Sequence, residues 1–297
     1  MTAIPAAPPG AVTRFAPSPT GGLHLGHAHA ALFAAGLAAR AGGRFLLRLE
    51  DIDTTRCRPE FATGILADLA WLGLVWEQPV RVQSAHFAEY RATLARLDAQ
   101  GLLYPCFCTR TAIAREVAAS GGAPQGPDGP LYPGTCRHIS AGARAARLAA
   151  GEGHALRLDM AAALAAVGRP LSYHELGQGR RACDPARFGD VVLARRDVPA
   201  SYHLCVTHDD ALQGVTLVTR GADLQPATDL HRLLQALLGW PEPAYAHHPL
   251  ILGADGKRLA KREGAPTLAA LRAAGMAPDA VRSMAGFPGP VASTARA

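Results

Sequence analysis

The chain has 297 residues, of which 49% are hydrophobic and 18% charged, with a formal net charge of +6. That balance excludes a disordered chain and is compatible with an anionic partner such as a nucleotide or RNA. No apolar run reaches the length of a membrane span, because Gly36 and Arg40 interrupt the Ala-rich stretch after His27. Met1–Gly10 lacks the basic start and apolar core of a signal peptide, so a cytoplasmic protein with no membrane partner is expected.

Ala11–Phe15 reads as a short apolar strand, and Ala28–Arg40, almost all Ala and Leu, as a helix. Between them lies Arg14-Phe15-Ala16-Pro17-Ser18-Pro19-Thr20-Gly21-Gly22-Leu23-His24-Leu25-Gly26-His27. Its prolines and glycines forbid continuous regular structure and favour a tight loop backing into a helix start. Such a strand–loop–helix unit aims backbone N–H groups and the positive end of a helix dipole into a crevice. His24 and His27, three apart, put two imidazoles on one side of a first turn, which suits a triphosphate under attack. By spacing alone they fit equally a glycine-rich turn with two exposed histidines.

Arg44–Glu50 is a second strand after a Gly42-Gly43 turn, ending in a polar cluster with Asp51 and Asp53, which are expected to cap the next helix. Pro59 opens a helix with Ile65, Leu66, Leu69 and Leu72 on one face and Gly73 as its stop. Ser84 is expected to cap a helix from Ala85 to Gln100, with Gly101 at its end. The βαβα order predicts a parallel sheet.

Six cysteines in such a chain suit metal or free thiols better than disulfides. Cys106 and Cys108 are one residue apart; Cys136 follows a Gly/Pro-rich loop from Ala119 to Pro130. Three thiolates can chelate zinc if Tyr132 or His138 supplies a fourth ligand, and ordinary zinc chemistry prefers the imidazole. Cys57, Cys183 and Cys205 have no such spacing. A helix (Ala141–Ala150) and strands at His154–Leu158 and Leu171–Glu175 follow, and regularity returns at Phe188–Leu193. Ser201–Asp210 then leads to a strand, Val215–Thr219, with Arg220 at its carboxyl edge. There Arg220 could grip a carboxylate or form a surface ion pair. Thr228 is expected to cap a helix from Asp229 to Leu238. Last come a basic stretch, Gly253–Arg262, two short helices and a tail.

The Arg14–Gly21 segment with His24-Leu25-Gly26-His27 resembles the first signature, "HIGH", of class I aminoacyl-tRNA synthetases, in the form found in glutamyl- and glutaminyl-tRNA synthetases. Arg258-Leu259-Ala260-Lys261-Arg262 is similar to their second signature, "KMSKS", with Lys261 at the second lysine. Arg258 stands for the first lysine and Ala260 for the serine, which removes a hydroxyl that Lys257 or Arg258 is available to replace. Cys-x-Cys followed by Tyr-x-x-x-Cys resembles the zinc module of short glutamyl-tRNA synthetase homologues. That resemblance implies Cys106, Cys108, Tyr132 and Cys136 as Zn²⁺ ligands, with His138 the runner-up.

The resemblance covers Val12–Gly286 and, with no residues left for an anticodon-binding domain, is to the glutamyl-queuosine tRNA(Asp) synthetases. It implies an α/β, Rossmann-like catalytic domain in two halves (1–103 and 188–245). A zinc-bearing, acceptor-arm-like module would be inserted at 104–187, with the KMSKS-like loop and C-terminal helices at 246–286 and a tail at 287–297. The family would place L-glutamate against Arg14, Phe15, Ala16, Pro17, Ser18, Glu50, Tyr202 and Arg220. ATP with Mg²⁺ would lie against His24, Gly26, His27 and Lys261, of which the histidines and the lysine act in catalysis. The expected product is glutamate on the queuosine base at the wobble position of tRNA(Asp), made by a monomer. The alternatives are a truncated glutamyl-tRNA synthetase and a zinc-containing RNA-binding protein with a decayed active site.

Overall fold

The computed structural model describes residues 6–119, 124–251 and 266–289. The first half runs β1 (Val12–Phe15), α1 (Leu25–Arg40), β2 (Arg44–Leu49), α2 (Pro59–Trp71), β3 (Glu77–Val82), α3 (Phe87–Asp98). After it come β4 (Leu103–Cys106), α4 (Arg110–Ala119), β5 (Gln125–Gly126), β6 (Gly129–Pro130), α5 (Ala141–Ala149), β7 (Ala155–Leu158), α6 (Met160–Val167), β8 (Ser172–Glu175) and β9 (Gly179–Ala182). The remainder is β10 (Val192–Ala194), α7 (Tyr202–Leu212), β11 (Leu217–Gly221), α8 (Ala227–Leu238), β12 (Ala244–His248), α9 (Leu268–Ala273) and α10 (Pro278–Met284).

β1, β2 and β3 pair in parallel, as do β11, β12 and β8, with β9 closing that edge antiparallel. The two sheets meet where the Thr216 N–H donates to the Val12 carbonyl at 3.1 Å and the Val12 N–H to the Thr216 hydroxyl at 2.9 Å. β1 and β11 therefore lie side by side while the chain leaves them in opposite directions, which opens a crevice at their carboxyl ends. Gly43 is needed at the first turn: a Cβ there would lie 1.9 Å from the Ala11 carbonyl oxygen. β4, β7 and β10 form a separate antiparallel sheet. β8, inside 104–187, pairs with β12 and carries β9 on its other side, whereas β10, beyond that segment, pairs with β7.

The Ala-rich face of α1 packs on Phe45, Leu47 and Leu49 of β2 and on Ile65, Leu69 and Leu72, joined by Leu268 and Val281 from α9 and α10. Small side chains let α1 approach the sheet closely. The Leu268 N–H donates to the Leu23 carbonyl at 2.8 Å, so the C-terminal helices brace the loop ahead of α1.

Three expected caps are absent. Ser84 gives its N–H and hydroxyl to the Asp51 carboxylate at 2.7 and 2.6 Å, and a 3₁₀ turn (Gln83–His86) precedes α3. Asp53 closes a local turn with Thr55 and Arg56, and α2 has no side-chain cap. α8 starts at Ala227, and the Thr228 hydroxyl accepts from Arg220 instead. Each side chain binds another partner in preference to a helix N–H, in the interior for Ser84 and Thr228 and within its own turn for Asp53.

Candidate active site

The crevice at the β1/β11 switch point is a cleft of about 330 Å³. Arg14, Phe15, Ala16, Pro17, Ser18, His24, Gly26, His27, Glu50, Tyr202 and Arg220 all line it, although they are spread over more than two thirds of the chain. Lys261 lies outside the described residues, as do Lys257, Arg258 and Ala260.

His24 and His27 are brought together by the backbone. His24 is the N-cap of α1: its Nδ1 accepts the Gly26 N–H at 3.1 Å, and His27 Nδ1 accepts the His24 N–H at 3.2 Å. The two rings sit 3.8 Å apart, centroid to centroid. Because both Nδ1 atoms accept, the neutral rings carry their proton on Nε2. A helix N-terminus with imidazole N–H groups beside it is suited to phosphate oxygens.

Behind the cleft lies a charge cluster that no local pattern announces. Arg14 is 5% exposed, donating through Nε to Asp210 Oδ1 at 2.9 Å and through Nη1 to the Thr219 carbonyl at 2.8 Å. Arg48, fully buried, donates to Asp210 at 2.8 Å, to Gln213 at 2.9 Å and to Glu50 at 3.3 Å, and lies 3.8 Å from Asp209. Asp209 is held in turn by Arg81, Gln83 and Tyr90. Burial opposes ionisation of Asp210, yet Arg14 and Arg48 hold its carboxyl below the ordinary range. Glu50 goes the other way: burial lifts it from 4.5 to about 7, against the pull of Arg48 and Arg14. Between those values the folded chain binds more protons than the unfolded one, so ionising Glu50 lowers stability as pH rises through that window.

Arg220 ends β11 and is 6% exposed. Its guanidinium donates to the Thr228 hydroxyl at 2.5 Å, to His231 Nδ1 at 3.1 Å and to His247 Nε2 at 3.2 Å. His247 passes its other nitrogen to Glu175 at 2.7 Å. Burial, reinforced by Arg220, drives both imidazoles below their ordinary value, so each is a neutral acceptor. These partners, with Tyr202 beside the guanidinium, fix its plane in the cleft, where it can meet a carboxylate.

A second cleft of about 780 Å³ shares Ser18, Glu50 and Tyr202 with the first and runs out past Arg56, Arg110, Arg157, Arg195 and Arg196 to Cys106 and Cys108. The Sγ atoms of Cys106, Cys108 and Cys136 lie within 4.8 Å of one another. The Tyr132 hydroxyl sits 3.4 Å from Cys108 Sγ and accepts the Cys136 N–H at 2.9 Å, while Arg157 stacks on its ring at 3.8 Å. Sulfurs about 3.8 Å apart are what a tetrahedral zinc at its usual bond length demands. The donor set thus fits that ion, with Tyr132 and not His138 turned to the three sulfurs.

Residues 11–289 match the family described as tRNA synthetases class I (E and Q), catalytic domain. The chain belongs to this family of ligase-type enzymes. Among its relatives is a protein of Rhodobacter capsulatus named Glutamyl-Q tRNA(Asp) synthetase, 48% identical over 93% of this chain and 100% of that protein. A Glutamate–tRNA ligase 2 of Alkalilimnicola ehrlichii is 40% identical over 91% of this chain and 56% of that one. The crystal structure of a glutamate tRNA ligase from Elizabethkingia meningosepticum in complex with its amino acid superposes with a TM-score of 0.78 at 27% identity. It is covered over 93% of this chain and 60% of that one, so the chain spans about three fifths of the solved ligase.

Proposed function

We propose that the chain activates L-glutamate with ATP and transfers it to the queuosine base at the wobble position of tRNA(Asp). The observation that carries this is one cleft with both polarities: Glu50 for an ammonium, Arg14 and Arg220 for carboxylates, and the His24/His27 helix start for phosphates. A glutamate α-carboxylate oxygen attacks the α-phosphorus of ATP, the bond to the bridging oxygen breaks, and pyrophosphate leaves as its magnesium salt. His24 and His27 donate to the phosphate oxygens as charge moves onto them, and Lys261 is assigned to the same work. Arg220 takes the side-chain carboxylate with its guanidinium. A hydroxyl of the queuosine ring then attacks the adenylate carbonyl and AMP departs. The arginine-lined second cleft suits the RNA backbone, and a reaction that consumes ATP and tRNA belongs in the cytoplasm.

The queuosine target is supported by the name shared by relatives 46–48% identical; those named glutamate–tRNA ligase are 39–40% identical. The test is glutamate loading onto tRNA(Asp) with and without queuosine, each with and without its 3′-terminal adenosine. Loading that requires queuosine and survives loss of the adenosine is expected. Loading indifferent to queuosine and abolished by removing the adenosine would move the assignment to a 3′-end ligase.

A Glu50 near pH 7 has a kinetic consequence. Below that pH the pocket loses the charge that meets the substrate ammonium, so the KM for glutamate should climb, approaching about tenfold per pH unit. Glu50→Gln should flatten the profile at a high KM; an unchanged profile in that variant would remove Glu50 from this role.

Cys106, Cys108, Tyr132 and Cys136 are proposed to hold one Zn²⁺, which clamps the end of β4 to the 132–136 turn. Metal analysis should find one zinc per chain, lost in Cys136→Ser together with roughly 5 °C of Tm. His138→Ala should keep its zinc; loss there would make His138 the fourth ligand.

A further inference from the structure

The His231 end of the Arg220 clamp leads out of the active site, and the direction of every hydrogen bond along it can be assigned. Arg220 can only donate, so His231 Nδ1 accepts at 3.1 Å. The neutral His231 must then carry its proton on Nε2, which faces His203 Nδ1 at 3.1 Å. His203 Nδ1 therefore accepts, and its Nε2–H points to Asp128 Oδ2 at 2.9 Å. His231 is 3% exposed and has no water to fall back on, whereas the Asp128 side chain is 57% exposed, at the tip between β5 and β6.

The hairpin behind that tip is packed against the end of the 104–187 segment. A Cβ on Gly126 would meet Leu131 at 2.5 Å and the Arg187 carbonyl at 2.7 Å, so only glycine lets β5 lie this close. Phe188 and Tyr202 stack edge-on against His203 and fix its plane.

We propose that Asp128, His203 and His231 are positioning residues for the glutamate site: a one-way relay by which the β5–β6 hairpin sets the orientation of Arg220. The proposal rests on Arg220 holding the amino acid. Without Asp128, the Nε2–H form of His203 is held from the His231 side alone. If that ring adopts Nδ1–H, it turns a donor against His231 Nε2–H, and His231 can relieve the clash only by presenting Nδ1–H to the guanidinium. The clamp then opens on one side, and the guanidinium loses its aim at the carboxylate. Residues from the 104–187 segment and from both flanks of β11 would thus share one specificity device, although only Arg220 touches substrate.

Two measurements test this separately from the glutamate assignment. In pyrophosphate exchange, Asp128→Ala should raise the KM for glutamate roughly 3- to 10-fold with kcat and the KM for ATP unchanged. His203→Leu should do the same or more. His203→Asn, whose Oδ1 can replace Nδ1 as acceptor, should recover most of the loss. In an Arg220→Lys background, Asp128→Ala should add nothing further. Equal effects on kcat or on ATP, or full additivity with Arg220→Lys, would overturn the relay. The second measurement needs no turnover: imidazole ¹⁵N shifts should report Nε2–H tautomers for both His203 and His231, and both should move in Asp128→Ala. An Nδ1–H tautomer in either ring would overturn the proposal even in an active enzyme. Absence of glutamate-dependent exchange in the unaltered chain would overturn the glutamate reading and this role with it.

Discussion

Replacing His27 with alanine is expected to lower glutamate-dependent pyrophosphate exchange by about 100- to 1,000-fold, the range seen when one donor to a developing anion is removed. The side chain has two separable duties. Its Nδ1 accepts the His24 N–H and so completes the cap of α1, and its Nε2–H is the group proposed to meet phosphate oxygens. Loss of the first duty costs roughly 1 kcal/mol of stability, a shift of a few degrees in Tm, because α1 is also held by its Ala-rich face against β2. The two can be told apart with His27→Asn, whose carbonyl oxygen can still accept the N–H but whose amide cannot reach where Nε2 stood. That variant should regain the Tm and not the exchange rate. Exchange within tenfold of the unaltered chain in His27→Ala would remove this imidazole from the chemistry.

The pairing of His24 and His27 was legible because it is made within one turn of backbone, where a loop of Pro and Gly runs into an Ala-rich helix. The α/β order was legible from strands alternating with helices, and the class I catalytic domain only from the resemblance carried by Arg14–His27 and Arg258–Arg262. What encloses the site was not. Arg48 and Asp210 are 162 residues apart, and Glu175 reaches His247 across 72. Asp209 and Asp210 sit in the last turns of α7, where two acidic residues ordinarily face water, and no periodicity marks them as buried. His231 and His247 likewise look like scattered polar positions until β11, β12 and α8 bring them round one guanidinium, with His203 of α7 behind His231. Two of the three misplaced caps, Ser84 and Thr228, have the same origin, while Asp53 is taken up by its own turn. Capping rules weigh a side chain against its own helix, and Ser84, Asp53 and Thr228 each had a better partner elsewhere.

The buried cluster makes the second large prediction. Arg48→Met keeps most of the volume but removes the cation facing Asp210, Asp209 and Glu50. Arg14 and Arg81 remain, each already engaged with one aspartate, so the three carboxylates become under-compensated in a dry interior. Breaking a buried pair on one side typically costs about 3–5 kcal/mol, on the order of 10 °C in Tm for a chain of this size. The pH dependence has a definite sign. In the unaltered chain Asp210 is held below its unfolded value, so its contribution is present above that value and lost as the pH falls through the folded one. Without Arg48, Asp210 loses one of the two cations that hold it down and Glu50 is pushed further up, so the folded state takes up protons and stability falls as pH rises through that interval. Urea unfolding at pH 5 and pH 8 should therefore show the smaller deficit at pH 5 and the larger at pH 8. A deficit independent of pH would mean that the loss is one of packing and that other donors already serve these carboxylates. Because Glu50 shares the cluster, its carboxyl should rise further in the variant, moving the KM profile for glutamate to higher pH. Stability and substrate affinity would then shift together through one arginine that never meets the substrate.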